Sequence, residues 1–171
     1  MGKSKPAKRV GILGGGQLAR MLILEGHKLG LEMHVLCPSQ AEPAAQVTRF
    51  WHQGHLDSQA DIHRFLEQMD VVTFESEFID VTKIGNADHI LPNPSLIGRL
   101  QDRLSQKQML VEAKLKTSPF IEISKPDDLK TAADKFSKGF VIKARRFGYD
   151  GYGTFVCRKP TDYQKHLSNL K

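Results

Sequence analysis

A short apolar run that leads through three glycines into a helical pattern limits the possible folds more than any other feature of this sequence. Arg9 to Leu13 is an apolar, strand-like run, Gly14-Gly15-Gly16 follows it, and a helix is predicted over 17–29, where Gly30 ends it. Because glycine has no Cβ, backbone N–H groups and the positive end of the helix can approach an anion directly. The turn is therefore a candidate phosphate site.

Strand and helix patterns continue to alternate through the first half of the chain. Ser58 and Asp61 resemble a capping box, and the apolar residues after them recur at helical spacing. Alternating β and α elements of this length predict right-handed crossovers and an α/β fold with a doubly wound, mostly parallel sheet. Strands are predicted at 9–13, 33–37, 49–51, 71–74 and 90–91, and helices at 17–29, 58–68 and 81–87.

The pattern changes after Pro94. Residues 95–115 are predicted to be helical with one break near Gln101-Asp102, and Thr117-Ser118-Pro119 then interrupts regular structure. We therefore predict a doubly wound domain over residues 9–116, preceded by a basic, disordered tail at residues 1–8.

Residues 117–171 are predicted to belong to a second domain. A segment of about 50 residues is too short to bury a sizeable core by itself, so we expect it to be part of a larger domain. Its predicted strands are 120–123, 140–143 and 154–158, and its predicted helices are 127–136 and a terminal one that Pro160 opens.

Composition places the chain among globular proteins and argues against two classes of partner. The net charge is +6, but four of the 25 basic residues lie near the N-terminus, and the other 21 nearly balance 19 acidic residues. The sequence contains no nucleic-acid recognition motif, so we do not expect a nucleic-acid partner. It also contains no apolar run of about 20 residues, so we do not expect a membrane span. Cys37 and Cys157 lie far apart and indicate buried thiols in a reducing compartment, which predicts a cytoplasmic protein.

The first glycine turn allows more than one interpretation. Residues 14–19 fit G-x-G-x-x-A between a strand and a helix, which is typical of dinucleotide sites but also of tight strand–helix packing alone. A dinucleotide site needs an acidic residue about 20 positions on, where the second strand ends. That strand ends at Cys37-Pro38-Ser39, with Glu32 before it and Glu42 beyond it. The sequence therefore favours a phosphate that belongs to another kind of ligand.

A second glycine-rich loop follows Lys143. The three glycines within residues 148–153 permit positive φ and expose backbone N–H groups as an anion nest. Lys143 can present its ammonium group to a phosphate, and Arg145 and Arg146 add donors nearby. An ordinary hairpin with a solvated basic tip fits the composition equally well. Two phosphate-type loops predict two phosphorylated ligands, for instance a nucleoside triphosphate and a phosphorylated substrate.

Five segments of the sequence resemble segments of the ATP-grasp enzymes known as 5-(carboxyamino)imidazole ribonucleotide synthases, and they occur in the same order as in that family. The resemblance covers nearly the whole chain from Val10 and implies a Rossmann-like pre-ATP-grasp domain followed by the first part of an ATP-grasp α+β domain. The segments are Gly11–Leu22, Pro43-Ala44-Ala45-Gln46-Val47, Thr73-Phe74-Glu75-Ser76-Glu77, Gln101–Lys107 and Lys143–Gly153.

The resemblance implies an activity and its ligands. The family is a C–N bond-forming ligase of de novo purine synthesis. In it, ATP and Mg²⁺ activate bicarbonate as carboxyphosphate, and the exocyclic amine of aminoimidazole ribonucleotide is then carboxylated. A homodimer is also implied, because the family is usually dimeric.

The resemblance further implies roles for individual residues. At the first glycine turn, the resemblance implies that the phosphate of the ribonucleotide is the ligand. For Glu75 and Glu77, the alternative interpretation is a pair of solvated carboxylates at the end of a strand. The implied nucleotide contacts are Arg103, Lys143, Gly148, Tyr149, Asp150, Gly151, Tyr152 and Gly153. The implied substrate contacts are Gly16, Gln17, Leu18, Glu75 and Glu77.

No catalytic residue and no metal ligand is assigned to this chain. In the family, the Mg²⁺-binding carboxylates lie beyond the position of Lys171, so we expect the 171-residue chain alone to lack turnover. A histidine-rich segment at residues 52–63 is interpreted as solvated loop rather than metal site. Two alternatives stay open: a truncated, non-catalytic nucleotide-binding protein and a dinucleotide-binding oxidoreductase domain.

Overall fold

A computed structural model describes residues 8–76, 78–148 and 151–169, and the chain divides into two compact units between Gly98 and Arg99. Most of the predicted N-terminal tail lies outside the described residues, as do Glu77, Tyr149 and Asp150. The domain boundary predicted at residues 116–117 stays a prediction.

In the described part of the first unit, four strands form a parallel sheet in the order β3-β2-β1-β4. At the centre of the sheet, Gly11 is paired with His34 on one side and with Val72 on the other. This topology confirms the predicted doubly wound α/β fold. The strands are β1 (Arg9–Leu13), β2 (Glu32–Cys37), β3 (Phe50–Gln53) and β4 (Val71–Phe74).

Helix α1 (Gln17–Lys28) covers one face of the sheet and helix α2 (Gln59–Leu66) covers the other. Successive side chains of β1 point to opposite faces, so that Ile12 packs with Ile23 of α1, whereas Leu13 packs with Phe65 of α2. Helix α2 begins where expected, because the Ser58 hydroxyl accepts a hydrogen bond from the Asp61 backbone N–H at 3.3 Å.

Gly11 shows why this sheet and helix can approach so closely. A Cβ at this position would lie 2.7 Å from both Met69 Cγ and Phe65 Cε1, closer than packed carbon atoms come. Glycine in the middle of β1 is therefore required by packing against the α2 side of the sheet.

Two expected elements of the first unit are shorter than predicted. The helix expected at 81–87 is a single 3-10 turn, Val81–Lys83, and Gly85 beyond it has a φ of +75°, which ends helical geometry. The strand expected at 90–91 is an isolated parallel bridge between Val72 and Ile90.

After Pro94 the predicted helical stretch forms α3 (Pro94–Leu100) and α4 (Arg103–Glu112), with the expected break at Gln101-Asp102. The second unit continues with α5 (Pro126–Lys135), the antiparallel pair β5 (Phe140–Lys143) and β6 (Thr154–Cys157), and a 3-10 helix, Pro160–Asn169.

The core of the second unit is small. Leu129, Ile142 and Cys157 form a buried cluster in it, with Phe140 and Phe155 packed around them. The strand predicted at 120–123 is not formed, since no strand in the described part of this unit pairs with those residues. None of the helices described is long and apolar enough to cross a membrane.

Adjacent residues of α1 test the packing of the first unit. Ile23 is fully buried, whereas Leu24 is 43% exposed. We expect Ile23→Ala to lower the free energy of unfolding by about 2–5 kcal/mol, because it leaves a cavity in the core. Leu24→Ala is the matched control and should cost less than about 1 kcal/mol. Urea unfolding followed by the fluorescence of Trp51 measures both, and equal losses would contradict the assigned faces of α1.

Candidate functional site

The first glycine turn is held by backbone hydrogen bonds at the carboxyl ends of β1 and β2. The Gly14 N–H donates to Leu36 O at 3.1 Å, and the Ala44 N–H donates to Gly15 O at 2.9 Å. Gly14 has a φ of +108°, a conformation that favours glycine. Gly16 is the N-cap of α1, with extended backbone and no side-chain cap. The turn thus presents the start of α1 at the edge where the parallel strands end.

Two carboxylates lie against this turn from different sides. The Glu75 N–H donates to Leu13 O at 3.0 Å, which places residue 75 directly after β4 and beside the turn. A Cβ on Gly14 would lie 2.9 Å from Glu75 Oε2, and one on Gly16 would overlap with Glu75 Oε1. On the other side, a Cβ on Gly15 would overlap with Glu42 Oε2. The turn is therefore suited to ligand groups that donate hydrogen bonds.

Sequence reasoning placed Glu75 here but missed Glu42. Glu42 lies five residues beyond the end of β2, too far along the chain for the spacing of a dinucleotide motif. The loop folds back, with the Glu42 N–H donating to Ser39 O at 3.1 Å, and brings the carboxylate to Gly15. The one available signal was the proline after Glu42, which is typical of a turn.

The structure brings four of the five expected substrate contacts to this edge of the sheet. Gly16, Gln17 and Leu18 form the N-cap and first turn of α1, and the Gln17 and Leu18 side chains are exposed. Glu75 lies beside Gly16. Glu77 lies outside the described residues.

The thiol of Cys37, beside the first glycine turn, is not a nucleophile. A Cβ on Gly15 would lie 2.8 Å from Cys37 Sγ, so the thiol is in contact with the turn. Burial, and then the negative charge of Glu42, raise the pKa of the Cys37 thiol to about 11. Cys37 is therefore a protonated, buried side chain that packs beneath the turn, as its position in a strand predicted.

In the second unit, the second glycine loop connects β5 to β6. Lys143 is the last residue of β5 and pairs with Thr154 of β6. The loop closes with the Ala144 N–H donating to Gly153 O at 2.7 Å. Gly153 has a φ of +67°, and a Cβ there would lie 2.7 Å from Ala144 Cβ. Glycine is needed at residue 153 because of this positive φ and because a side chain there would collide with Ala144.

One face of the β5–β6 pair is apolar and exposed next to Lys143. Side chains alternate along each strand, so Val141 and Lys143 share a face, and Val156 lies opposite Val141. Val141 is 48% exposed and Val156 is 56% exposed, while Ile142 on the other face is part of the core. A flat ring can pack on the two valines while an attached phosphate reaches the ammonium group of Lys143.

The structure brings a second expected nucleotide contact to the glycine loop. Arg103 is the first residue of α4, its side chain is exposed, and its N–H donates to Arg145 O at 2.9 Å. A Cβ on Gly148 would lie 4.0 Å from Arg103 Nε. The Arg103 guanidinium therefore lies at the loop, where its positive charge favours an anion. Gly151 and Tyr152 are exposed in the same loop.

The Arg145 guanidinium is directed at two carboxylates of the second unit, and the expectation that it also offers donors to a phosphate stays a prediction. Its Nη2 donates to Asp102 Oδ2 at 2.7 Å, and its Nη1 donates to Glu122 Oε1 at 2.7 Å. The hydrogen bonds from Arg145 lower the pKa of Asp102 and raise that of Arg145 itself. The helix break predicted at Gln101-Asp102 marked the position of Asp102, but its partner 43 residues away could not be inferred from the pattern.

The histidine-rich segment, expected from the sequence to be a solvated loop, is partly interior, because the side chain of His52 is half-buried. His52 Nε2 lies 2.9 Å from His34 Nδ1, and burial, together with His34, lowers the pKa of His52. Among the residues described, no group of three or more histidine, cysteine, aspartate or glutamate side chains is arranged to hold a metal ion.

Comparison with known proteins identifies the family. The sequence-family model of the ribonucleotide synthetase preATP-grasp domain matches residues 7–101. The sequence-family model of the ATP-grasp domain matches residues 108–171. The chain belongs to the ribonucleotide synthetase preATP-grasp family. It is 37% identical over 164 residues to the N5-carboxyaminoimidazole ribonucleotide synthase of Staphylococcus epidermidis, covering 94% of this chain and 44% of that protein.

Solved structures agree with this family. The N5-carboxyaminoimidazole synthetase of Staphylococcus aureus, complexed with ADP, matches with a TM-score of 0.87 and 30% identity, over 98% of this chain and 46% of that one. The synthase of Aspergillus clavatus, in complex with ADP and 5-aminoimidazole ribonucleotide, matches with a TM-score of 0.79 and 25% identity, over 96% and 44%. The family member described here thus spans less than half the length of these relatives and corresponds to their N-terminal part.

The charge of Asp102 gives this family member a testable dependence on pH. A carboxylate with a lowered pKa stabilises the fold fully above the ordinary carboxyl pKa of about 3.9, and that stability is lost as the pH falls through the lowered value. We expect Asp102→Asn to lower the free energy of unfolding by about 1–3 kcal/mol at pH 7, and the difference from wild type to shrink below pH 4.

Urea unfolding at pH 7, 5 and 3, followed by far-ultraviolet circular dichroism, measures this difference. Asp134→Asn, on the exposed side of α5, is the matched control for loss of one acidic charge. A difference between wild type and Asp102→Asn that stays constant down to pH 3 would contradict the assignment of a charged, paired carboxylate.

Proposed function

We propose that this chain carries nucleotide and substrate sites of a C–N bond-forming ligase of de novo purine synthesis. In the proposed reaction, bicarbonate attacks the γ-phosphorus of ATP to give carboxyphosphate and ADP. The exocyclic amine of aminoimidazole ribonucleotide then attacks the carboxyl carbon and displaces phosphate. The observation that carries the proposal is the exposed Lys143 face of the β5–β6 pair, in a chain similar over 98% of its length to a synthetase solved with ADP.

ATP is proposed to bind in the second unit. Val141 and Val156 offer an apolar surface to the adenine ring, and Lys143 lies on the same face for the phosphates. Arg103, the first residue of α4, lies beside the glycine loop, and its guanidinium offsets further phosphate charge. The loop residues proposed to cover the triphosphate are Gly148, Tyr149, Asp150, Gly151, Tyr152 and Gly153.

Mg²⁺ belongs to the proposed chemistry, because a divalent ion bridges the phosphates and offsets their charge during phosphoryl transfer. The described residues bring no set of three metal ligands together, so they do not fit a metal site of their own. No step of the proposal is therefore assigned to a metal ion held by these residues.

Aminoimidazole ribonucleotide is proposed to bind at the first glycine turn, with Gly16, Gln17, Leu18, Glu75 and Glu77 as its contacts. The carboxylates of Glu42 and Glu75 repel a phosphate and accept hydrogen bonds from hydroxyl or amino groups. We therefore assign the ribose or amine part of the ribonucleotide to this turn, in place of the phosphate expected from the sequence. A cytoplasmic homodimer completes the proposal, supported by the family resemblance.

A dinucleotide-binding oxidoreductase domain is the second candidate, and one observation favours it. The Glu42 carboxylate lies at Gly15 of the glycine turn and could accept hydrogen bonds from the ribose hydroxyls of a dinucleotide. Titration with NAD separates the two functions, since the ligase proposal expects saturable binding of ATP and none of NAD.

The nucleotide site is tested by titrating the 171-residue chain with ATP in a calorimeter. Lys143→Ala and Arg103→Ala should each weaken ATP binding by about tenfold or more, because each removes a charge-assisted contact to phosphate. Lys130→Ala, on the exposed side of α5, removes a similar charge away from the loop and should leave the affinity unchanged. Wild type that binds NAD but not ATP would contradict the proposal.

The substrate site is tested by the same titration with aminoimidazole ribonucleotide. Glu75→Gln keeps the shape of the side chain but removes its charge, and should weaken ribonucleotide binding by about tenfold. Gly16→Val should weaken it as well, because a Cβ overlaps with the Glu75 carboxylate. Both variants should retain the ATP affinity of wild type. Ala60→Val on α2 is the control for added bulk at an exposed helical position, and parallel loss of both affinities in Glu75→Gln would contradict separate sites.

A further inference from the structure

A single buried carboxylate in the second unit joins the two segments that carry the proposed nucleotide contacts. Asp102 is 6% exposed and lies between the start of α4 and the chain that follows β5. We propose that Asp102 is a positioning residue, which holds Arg103 and the described residues 145–148 after β5 in one fixed arrangement for the phosphates of a nucleotide. This inference rests on the proposed nucleotide site, and the experiment below separates the failure of one from the failure of the other.

On the helix side, Asp102 determines where α4 begins. Its Oδ1 accepts hydrogen bonds from the backbone N–H groups of Leu104 at 2.9 Å and Ser105 at 3.3 Å. These are two of the N–H groups that a helix start leaves without partners. The cap fixes the first turn of α4, and Arg103 is the first residue of that turn.

On the loop side, the same carboxylate holds Arg145 by a fork of hydrogen bonds. Arg145 Nη2 lies 2.7 Å and Nε 3.1 Å from Asp102 Oδ2, and Nε lies 3.2 Å from Oδ1. Arg146 Nε is a weaker partner at 3.7 Å. Two parallel N–H donors on a planar guanidinium fix its orientation as well as its distance.

A backbone hydrogen bond links the same two segments beside this ion pair. The Arg103 N–H donates to Arg145 O at 2.9 Å, so the residue that Asp102 caps and the residue that it pairs with are also joined directly. Gly148, three residues after Arg145, lies close enough to Arg103 that a Cβ on it would be 4.0 Å from Nε. A shift of α4 relative to the loop would change this spacing, and contacts to transferring phosphates depend on such positions to within about 1 Å.

Glu122 provides a matched comparison. It accepts a hydrogen bond from Nη1 of the same guanidinium at 2.7 Å, but its side chain is 44% exposed and makes no described bond to the start of α4. Glu122→Gln therefore removes one carboxylate partner of Arg145 and leaves the link to α4 in place. Asp102→Asn removes the partner that joins both segments.

The test measures ATP affinity and the exchange of the Arg103 amide proton on the same 171-residue proteins. Asp102→Asn is expected to weaken ATP binding by about tenfold and to speed exchange of the Arg103 amide by a similar factor, since the fork to Arg145 is lost. Glu122→Gln is expected to change each by less than about twofold. The double variant Asp102→Asn/Arg145→Gln should bind ATP no more weakly than Asp102→Asn, because both changes break one link.

Each outcome decides the inference. Wild-type ATP affinity and wild-type Arg103 exchange in Asp102→Asn would overturn it, as would equal effects of Glu122→Gln. If Asp102→Asn does not fold by circular dichroism, Arg145→Lys replaces it: a lysine keeps the charge but lacks the fork, and unchanged exchange of the Arg103 amide would overturn the inference. If wild type does not bind ATP, the proposed nucleotide site fails, whereas the amide exchange still decides whether Asp102 joins α4 to the loop.

Discussion

Parallel pairing on both sides of β1 is the interaction on which the first unit depends. β1 lies between β2 and β4, so the carboxyl ends of these strands meet at one edge of the sheet. The same pairing continues past the strands, where the Gly14 N–H bonds to Leu36 O and the Glu75 N–H bonds to Leu13 O. Residues far apart in the chain, such as Gly16 and Glu75, therefore become neighbours. Ligands of doubly wound sheets bind at this edge for the same reason.

Electrostatics distinguishes the two glycine elements, although their compositions are similar. The turn after β1 lies next to the carboxylates of Glu42 and Glu75, so it is suited to ligand hydroxyl and amino groups. The loop after β5 has Lys143 on the strand before it and Arg103 beside Gly148, and it is suited to phosphate. Glycine content alone shows where backbone can approach a ligand, whereas the neighbouring side chains decide the sign of the charge that is accepted.

Much of the fold could be predicted because local signals and burial agree. The strands around Ile12, Val35 and Val72 are apolar runs, and the break between α3 and α4 coincides with a residue that caps helices. Predictions failed where tertiary contacts were absent or backbone geometry prevailed. Residues 120–123 have no strand beside them in the described part of the chain, and Gly85 ends the turn that begins at Val81.

The sequence by itself determined the alternation of strands and helices in the first unit, the parallel sheet, the glycine positions and the family resemblance. All of these depend on residue type and on spacing along the chain. Only the tertiary structure decided that Glu42 reaches Gly15 and that Arg145 pairs with Asp102 and Glu122. Arg145 is 43 residues from Asp102 and 23 residues from Glu122 along the chain, so both contacts depend on how the chain folds back on itself. Hydrogen bonds of this kind are set by distances of a few ångströms in space, about which the spacing of residues along a chain carries no information.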